Sequence, residues 1–247
     1  MALPNLSEWH VELLRITAFL QFNDRAKEET WWQQLFGNPP ETRTVRANEG
    51  LLQDEGPFFD GKLTMAVRPG RIDWVWSVNP VIPLQNTTPP SLGNLTETTE
   101  QFKSKLAEWL GLAPPIARLA FGAILDMPVP GKIEAYKLLQ MYLPAVKLFP
   151  ENSSDFTYQI NRPILSEVVQ GYRINRLNKW AAIRATIMGL REGGQMVRNE
   201  LFAARLEIDA NTELEAAIPI PKEKNLPLLV ELISAAHDIA SKGDQPQ

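Results

Sequence analysis

Gly61-Lys62-Leu63-Thr64-Met65-Ala66-Val67-Arg68-Pro69-Gly70-Arg71-Ile72-Asp73-Trp74-Val75-Trp76-Ser77-Val78 decides the fold class, because it reads from end to end as an antiparallel hairpin. Leu63, Met65 and Val67 alternate with Lys62, Thr64 and Ala66, the period-two pattern of a strand with one buried face. Pro69-Gly70 supplies the turn, proline presetting φ and glycine tolerating a positive φ. The return strand puts Ile72, Trp74, Trp76 and Val78 on one face and Asp73, Val75 and Ser77 on the other.

Upstream, Leu14, Ile16, Ala18 and Leu20 alternate with Leu13, Arg15, Thr17 and Phe19, which predicts a strand from about Trp9 to Leu20. Asn23 or Asp24 then caps a helix through Phe36, with Trp31 and Trp32 on its apolar side. Gly37-Asn38-Pro39-Pro40 stops it. Downstream, the prolines at 80, 83, 89 and 90 mark a loop. A helix capped at Thr96 or Thr98 follows, with Phe102, Leu106, Trp109 and Leu110 as its stripe and Gly111 at its end. The pattern then restarts with a strand over Ile116–Leu125 and a helix over Gly131–Tyr142. Strands are expected near Phe156–Arg162, Tyr172–Arg176, Asn178–Met188 and Leu201–Asp209. A last helix runs from Pro227 to about Ser241, burying Leu228, Leu229, Leu232, Ile233 and Ala236.

The recurring order predicts an α+β protein of two similar β-α-β-β-α halves, residues 1–112 and 113–247, each an antiparallel sheet covered by helices and joined edge to edge as a saddle. The opening Leu14-Arg15-Ile16-Thr17, the segment Thr30-Trp31-Trp32, the run Gly56-Pro57-Phe58 through Gly61-Lys62-Leu63, Pro69-Gly70-Arg71-Ile72-Asp73-Trp74 and two Ile-Asn-Arg triplets together resemble a family of uncharacterised bacterial proteins of about 250 residues. That resemblance implies no activity. The element order is also similar to the TATA-binding-protein-like fold, an analogy of fold alone.

The chain of 247 residues is 44% hydrophobic and 22% charged, so it can build a core without disulfide or metal. It has no cysteine, which excludes thiolate metal sites, iron–sulfur clusters and cysteine nucleophiles. No window reaches the apolar length of a membrane helix, and the N-terminus lacks the pattern of a secretion signal; a cytoplasmic location away from membranes is expected. The two histidines, His10 and His237, stand in no catalytic motif. Gly189, Gly193 and Gly194 lack the Lys-Ser/Thr of a phosphate loop and read as a hairpin turn. No cofactor is implied.

Three groups of polar residues remain. The triplets Ile160-Asn161-Arg162 and Ile174-Asn175-Arg176 pair an amide with a guanidinium fork suited to carboxylate or phosphate, although Asn and Arg point to opposite faces of a strand. Their bland reading is structural, with arginine tying strand ends to helix carboxylates and asparagine closing a turn. Across 162–205, Arg162, Arg173, Arg176, Lys179, Arg184, Arg191, Arg198 and Arg205 face only Glu167, Glu192 and Glu200. Interleaved with Tyr172 and Trp180, this basic strip is a candidate nucleic-acid surface, although the net charge of −4 gives no global pull toward nucleic acid. Glu207 and Asp209, side by side about 7 Å apart on one strand face, are candidate ligands for a divalent cation, with Asp54, Glu55, Asp60 and Lys62 as a second acidic group. A solvated outer strand face explains them equally well.

The leading expectation is therefore a non-catalytic interaction or ligand-sensing module with a protein or small-molecule partner, its binding residues drawn from Asn161, Arg162, Arg173, Asn175, Arg176, Arg184 and Arg205. A nucleic-acid clamp built on the basic strip and a divalent-metal hydrolase built on Glu207 and Asp209 are the alternatives.

Overall fold

The computed structural model describes residues 3–21, 28–79, 88–190, 196–213 and 220–244. The expected cap at Asn23 or Asp24 and the turn at Gly193 and Gly194 lie outside them.

The strands are β1 (His10–Leu20), β2 (Thr42–Arg46), β3 (Leu51–Phe58), β4 (Gly61–Arg68), β5 (Arg71–Ser77), β6 (Ile116–Val129), β7 (Thr157–Asn161), β8 (Ile164–Leu165), β9 (Arg173–Leu190) and β10 (Met196–Thr212). The helices are α1 (Glu28–Phe36), α2 (Leu95–Leu112), α3 (Lys132–Tyr142) and α4 (Asn225–Lys242). All ten strands belong to one antiparallel sheet in the order β2-β3-β4-β5-β1-β6-β10-β9-β7, with β8 also on β9.

This overturns the expected duplicated saddle of β-α-β-β-α halves. Strand accounts for 44% and helix for 29%, and the strands form one uninterrupted sheet. The bond between the two ends of the chain is the β1–β6 ladder, ten register pairs from His10↔Asp126 to Leu20↔Ile116. The strand count was misread for physical reasons. β2 is an exposed edge strand with only Val45 as a large apolar residue, so it carries no alternation to read. In β3, Asp54 replaces an apolar residue on the buried face and is neutralised there by Arg43 at 2.6 Å. The segments expected as separate strands at 172–176 and 178–188 are one strand, because Arg176 and Asn178 are buried and continue the ladder against β10.

One face of the sheet is covered. Leu14, Ile16, Trp74, Trp76, Leu119, Phe121, Leu125, Leu206 and Trp180 all point to it and are fully buried. Trp32 of α1 stacks on Trp74, and Trp109 of α2 packs edge-on to both Trp74 and Trp31, a contact mode aromatic rings favour. α2 starts at Asn94 rather than at a threonine: the Asn94 side chain accepts from the Glu97 backbone N–H at 3.0 Å. α4 ends at Gly243, whose φ of 70° and contact with the Tyr142 carbonyl leave no room for a side chain. The next residue, Asp244, donates its N–H to that carbonyl at 2.9 Å.

The other face carries no helix. A cavity of about 410 Å³ on it is lined by both Val75 of β5 and Gln159 of β7. Those strands lie five apart in the sheet, about 24 Å if it were flat. The open face is thus a trough.

Candidate functional site

The register ladders place the trough side chains in rows. One row runs Gln159, Lys179, Glu207, Ile124, Leu13, Ser77 across six strands; the next runs Asn161, Leu177, Asp209, Gly122, Arg15, Val75. Each row mixes both signs of charge with branched apolar residues, and Gly122 is the only floor position without a side chain.

Gly122 stands opposite Arg15 on β1 and opposite Asp209 on β10. A Cβ there would meet the Arg15 Nη2 at 3.3 Å and Nε at 3.4 Å, so the guanidinium lies across the glycine backbone. From that seat Arg15 Nη2 donates to Asp209 Oδ2 at 3.3 Å, while its Nε is buried with no hydrogen-bond partner. One row away, Lys179 donates to Glu207 Oε1 at 2.9 Å.

A second charged group adjoins the trough. β1 and β6 slip register between Val11 and Leu13, which makes Glu12 the extra residue of a bulge. A bulge re-aims a side chain, and here the Glu12 carboxylate meets Arg205 on β10. Arg205 also grips Asp126, 1% exposed, through Nε at 2.9 Å and Nη2 at 2.8 Å. Burial raises the Glu12 pKa above its ordinary value, with the Asp126 charge adding to the rise and Arg205 opposing it.

The two Ile-Asn-Arg triplets split as the pleat requires. On the open face Asn161 donates to Asn175 at 2.9 Å, Asn175 donates to Asn211 at 3.1 Å, and Asn211 donates to Asp209 at 2.9 Å. This amide chain ends on the trough carboxylate. The arginines go elsewhere. Arg176 is buried on the covered face and bonds Asp238 of α4 at 3.1 Å; Arg162 grips Asp244, which also accepts from the Tyr158 hydroxyl at 2.5 Å. The Asp244 carboxyl is held below its usual range, above all by the Arg162 bond.

The remaining candidates do not converge. Arg173 pairs with Glu213 at 3.3 Å at one end of β9, and Arg184 pairs with Glu200 at 2.5 Å on the outer part of the β9–β10 hairpin. Arg162, Arg173, Arg176, Arg184 and Arg205 each hold a carboxylate and are divided between the two faces. Glu207 and Asp209 do share the trough, but Lys179 and Arg15 hold them. Among the described residues no group of three or more His, Asp or Glu is placed to hold a metal. Asp54 is buried on the covered face, so it does not join them.

Arg15, Gly122, Glu12 and Asp126 were not singled out from the sequence. Two signals were present. Arg15 is the one charged residue within the alternation from Leu13 to Leu20, and Gly122 breaks an otherwise continuous run of side chains in β6. No family model matches this chain, and no curated protein matches it closely enough to stand as a relative.

Proposed function

We propose that this chain is a cytoplasmic, non-catalytic binding module whose ligand sits in the trough of the open sheet face. The observation that carries the reading is the trough itself: a cavity of about 410 Å³ in which a seated arginine, a lysine and two carboxylates converge over a glycine floor. That volume is in the range of small-molecule sites, and a few convergent polar groups among apolar walls are their usual lining. No helix among the described residues is long and apolar enough to cross a membrane.

Nucleic acid is the weaker reading, because five of the arginines that would neutralise phosphates already hold carboxylates. A fluorescence titration of single- and double-stranded DNA and RNA near 50 mM salt is expected to give no binding.

The test is a thermal-shift screen of charged and zwitterionic metabolites against the wild type and Ile124→Trp, whose indole would fill the trough. At least one compound should stabilise the wild type and lose its effect in the variant. If no compound stabilises the wild type, or every shift survives the tryptophan, the trough is not the site.

A further inference from the structure

We infer that the trough takes an α-amino acid with an apolar side chain, its carboxylate on Arg15 and its ammonium on Glu207. The inference rests on the reading of the trough as the binding site. It follows from charge balance, free valence, spacing and wall chemistry.

Arg15, Lys179, Glu207 and Asp209 sum to zero charge. A ligand with a net charge would leave one of them opposed by a like charge, whereas a zwitterion replaces one internal contact at each end. Both internal pairs are open to exchange. Their side chains are 36% and 35% exposed for Arg15–Asp209 and 38% and 37% for Lys179–Glu207, and ion pairs that wet are weak.

The free valences are complementary. Arg15 makes one long contact and leaves Nε without a partner, so its donor fork is underused. Asp209 has both oxygens engaged, Oδ1 by Asn211 and Oδ2 by Arg15. Glu207 gives Oε1 to Lys179 and keeps Oε2 for an incoming ammonium. The spacing agrees. The Arg15 guanidinium lies over Gly122, opposite Asp209, and Glu207 is two residues along the same strand, about 7 Å away. An α-amino acid spans that gap with one hydrogen bond of about 2.8 Å at each end.

The walls choose the side chain. Leu13, Val75, Ile124 and Leu177 line the same cavity and offer it only apolar surface. Gly122 excludes nothing but a competitor for the arginine's seat.

Isothermal titration of the full-length protein with each of the twenty L-amino acids, with L-leucinamide and with 4-methylpentanoate tests this. Leucine, isoleucine, valine or methionine should bind, and the two single-charge analogues should bind at least tenfold more weakly. Arg15→Met and Glu207→Gln should each weaken the amino acid at least tenfold while leaving the melting temperature near the wild-type value. Equal binding of leucine and 4-methylpentanoate overturns the inference, as does unchanged affinity in Arg15→Met. If amino acids fail but another metabolite binds and is blocked by Ile124→Trp, the zwitterion inference falls and the trough remains the site. If nothing binds in a way that Ile124→Trp abolishes, both fall.

Discussion

Trp74 and Val75 are neighbours in β5 and belong to different worlds. Trp74 is fully buried among Trp32, Trp109 and the facing strands, while Val75 lines the open trough across from Arg15. The same contrast runs the width of the sheet. The covered face is filled with tryptophan, phenylalanine and leucine; the open face holds its charges in pairs and amide chains. A ten-stranded sheet needs only one apolar face to fold, so the other face is free to be specialised. Stability and recognition are thus allotted to alternate residues of the same strands.

The largest expected effect probes the covered side of that division. Trp74→Ala should cost about 3–5 kcal/mol in urea unfolding, as large-to-small core changes do, while Val75→Ala next door should cost less than about 1 kcal/mol. Comparable losses for the two would dissolve the contrast.

Arg205 is the exception that sharpens it. Arg205→Met leaves Asp126 buried and Glu12 half-buried without their cation, and breaking such a pair costs about 3–5 kcal/mol. The open face therefore has one stability anchor among its softer pairs. Because burial raises the Glu12 pKa, its ionised form is disfavoured in the fold. The penalty is absent when the pH is low enough for Glu12 to be protonated and appears as the pH rises through its folded value. The damage from Arg205→Met should accordingly shrink as the pH is lowered toward 4.5, the ordinary Glu12 value, which a pH series of urea midpoints would show.

A smaller effect belongs to the covered side. His237 on α4 shares a hydrogen bond of 3.1 Å with Thr99 of α2, and burial holds its pKa below 6.5, with Glu100 opposing and Lys103 reinforcing the drop. As the pH falls, the unfolded chain takes up this proton first. The stability that neutral His237 provides is therefore full above pH 6.5 and declines below it. Between pH 7.5 and 5.5 the wild type should lose stability relative to His237→Gln. Parallel curves would refute the assignment.

The smallest effect is on the trough. A double-mutant cycle on Lys179 and Glu207 should give a coupling of about 0.2–1 kcal/mol, as for other wet ion pairs. A value near that of the Arg205 cluster would mean that the trough is structural.

The covered face was largely legible beforehand. Alternation in Leu63–Val67 and Ile72–Trp76, and the stripe Phe102, Leu106, Trp109, placed both the hairpin and α2, because burial of every second or every third to fourth residue leaves a period. Closure into one sheet was not legible. The β1–β6 pairing joins residues about a hundred apart, and nothing local in Leu14–Leu20 names its partner. The site was half legible. Glu207 and Asp209 could be placed side by side from strand geometry, and Asn161 and Asn175 from their matching triplets. The arginines misled, because a cation is read from sequence without the carboxylate that folding brings to it, as Asp244 comes to Arg162 from 82 residues away. Arg15 was overlooked for the converse reason. One guanidinium on an ordinary strand becomes distinctive only when the facing residue on β6 is seen to be Gly122.

The central place of β1 has a consequence in time. It is the first strand made and pairs on one side with β5 and on the other with β6, which begins 96 residues after Leu20. At roughly 5–20 residues per second of synthesis, β1 stands for on the order of 5–20 s with one ladder edge bare. During that interval the half-made sheet of β2, β3, β4, β5 and β1 exposes its most apolar strand as an open edge, the kind of surface on which chains aggregate. A ribosome that stalls before Ile116 would release a product with a sticky margin, so the supply of this protein depends on uninterrupted translation through β6.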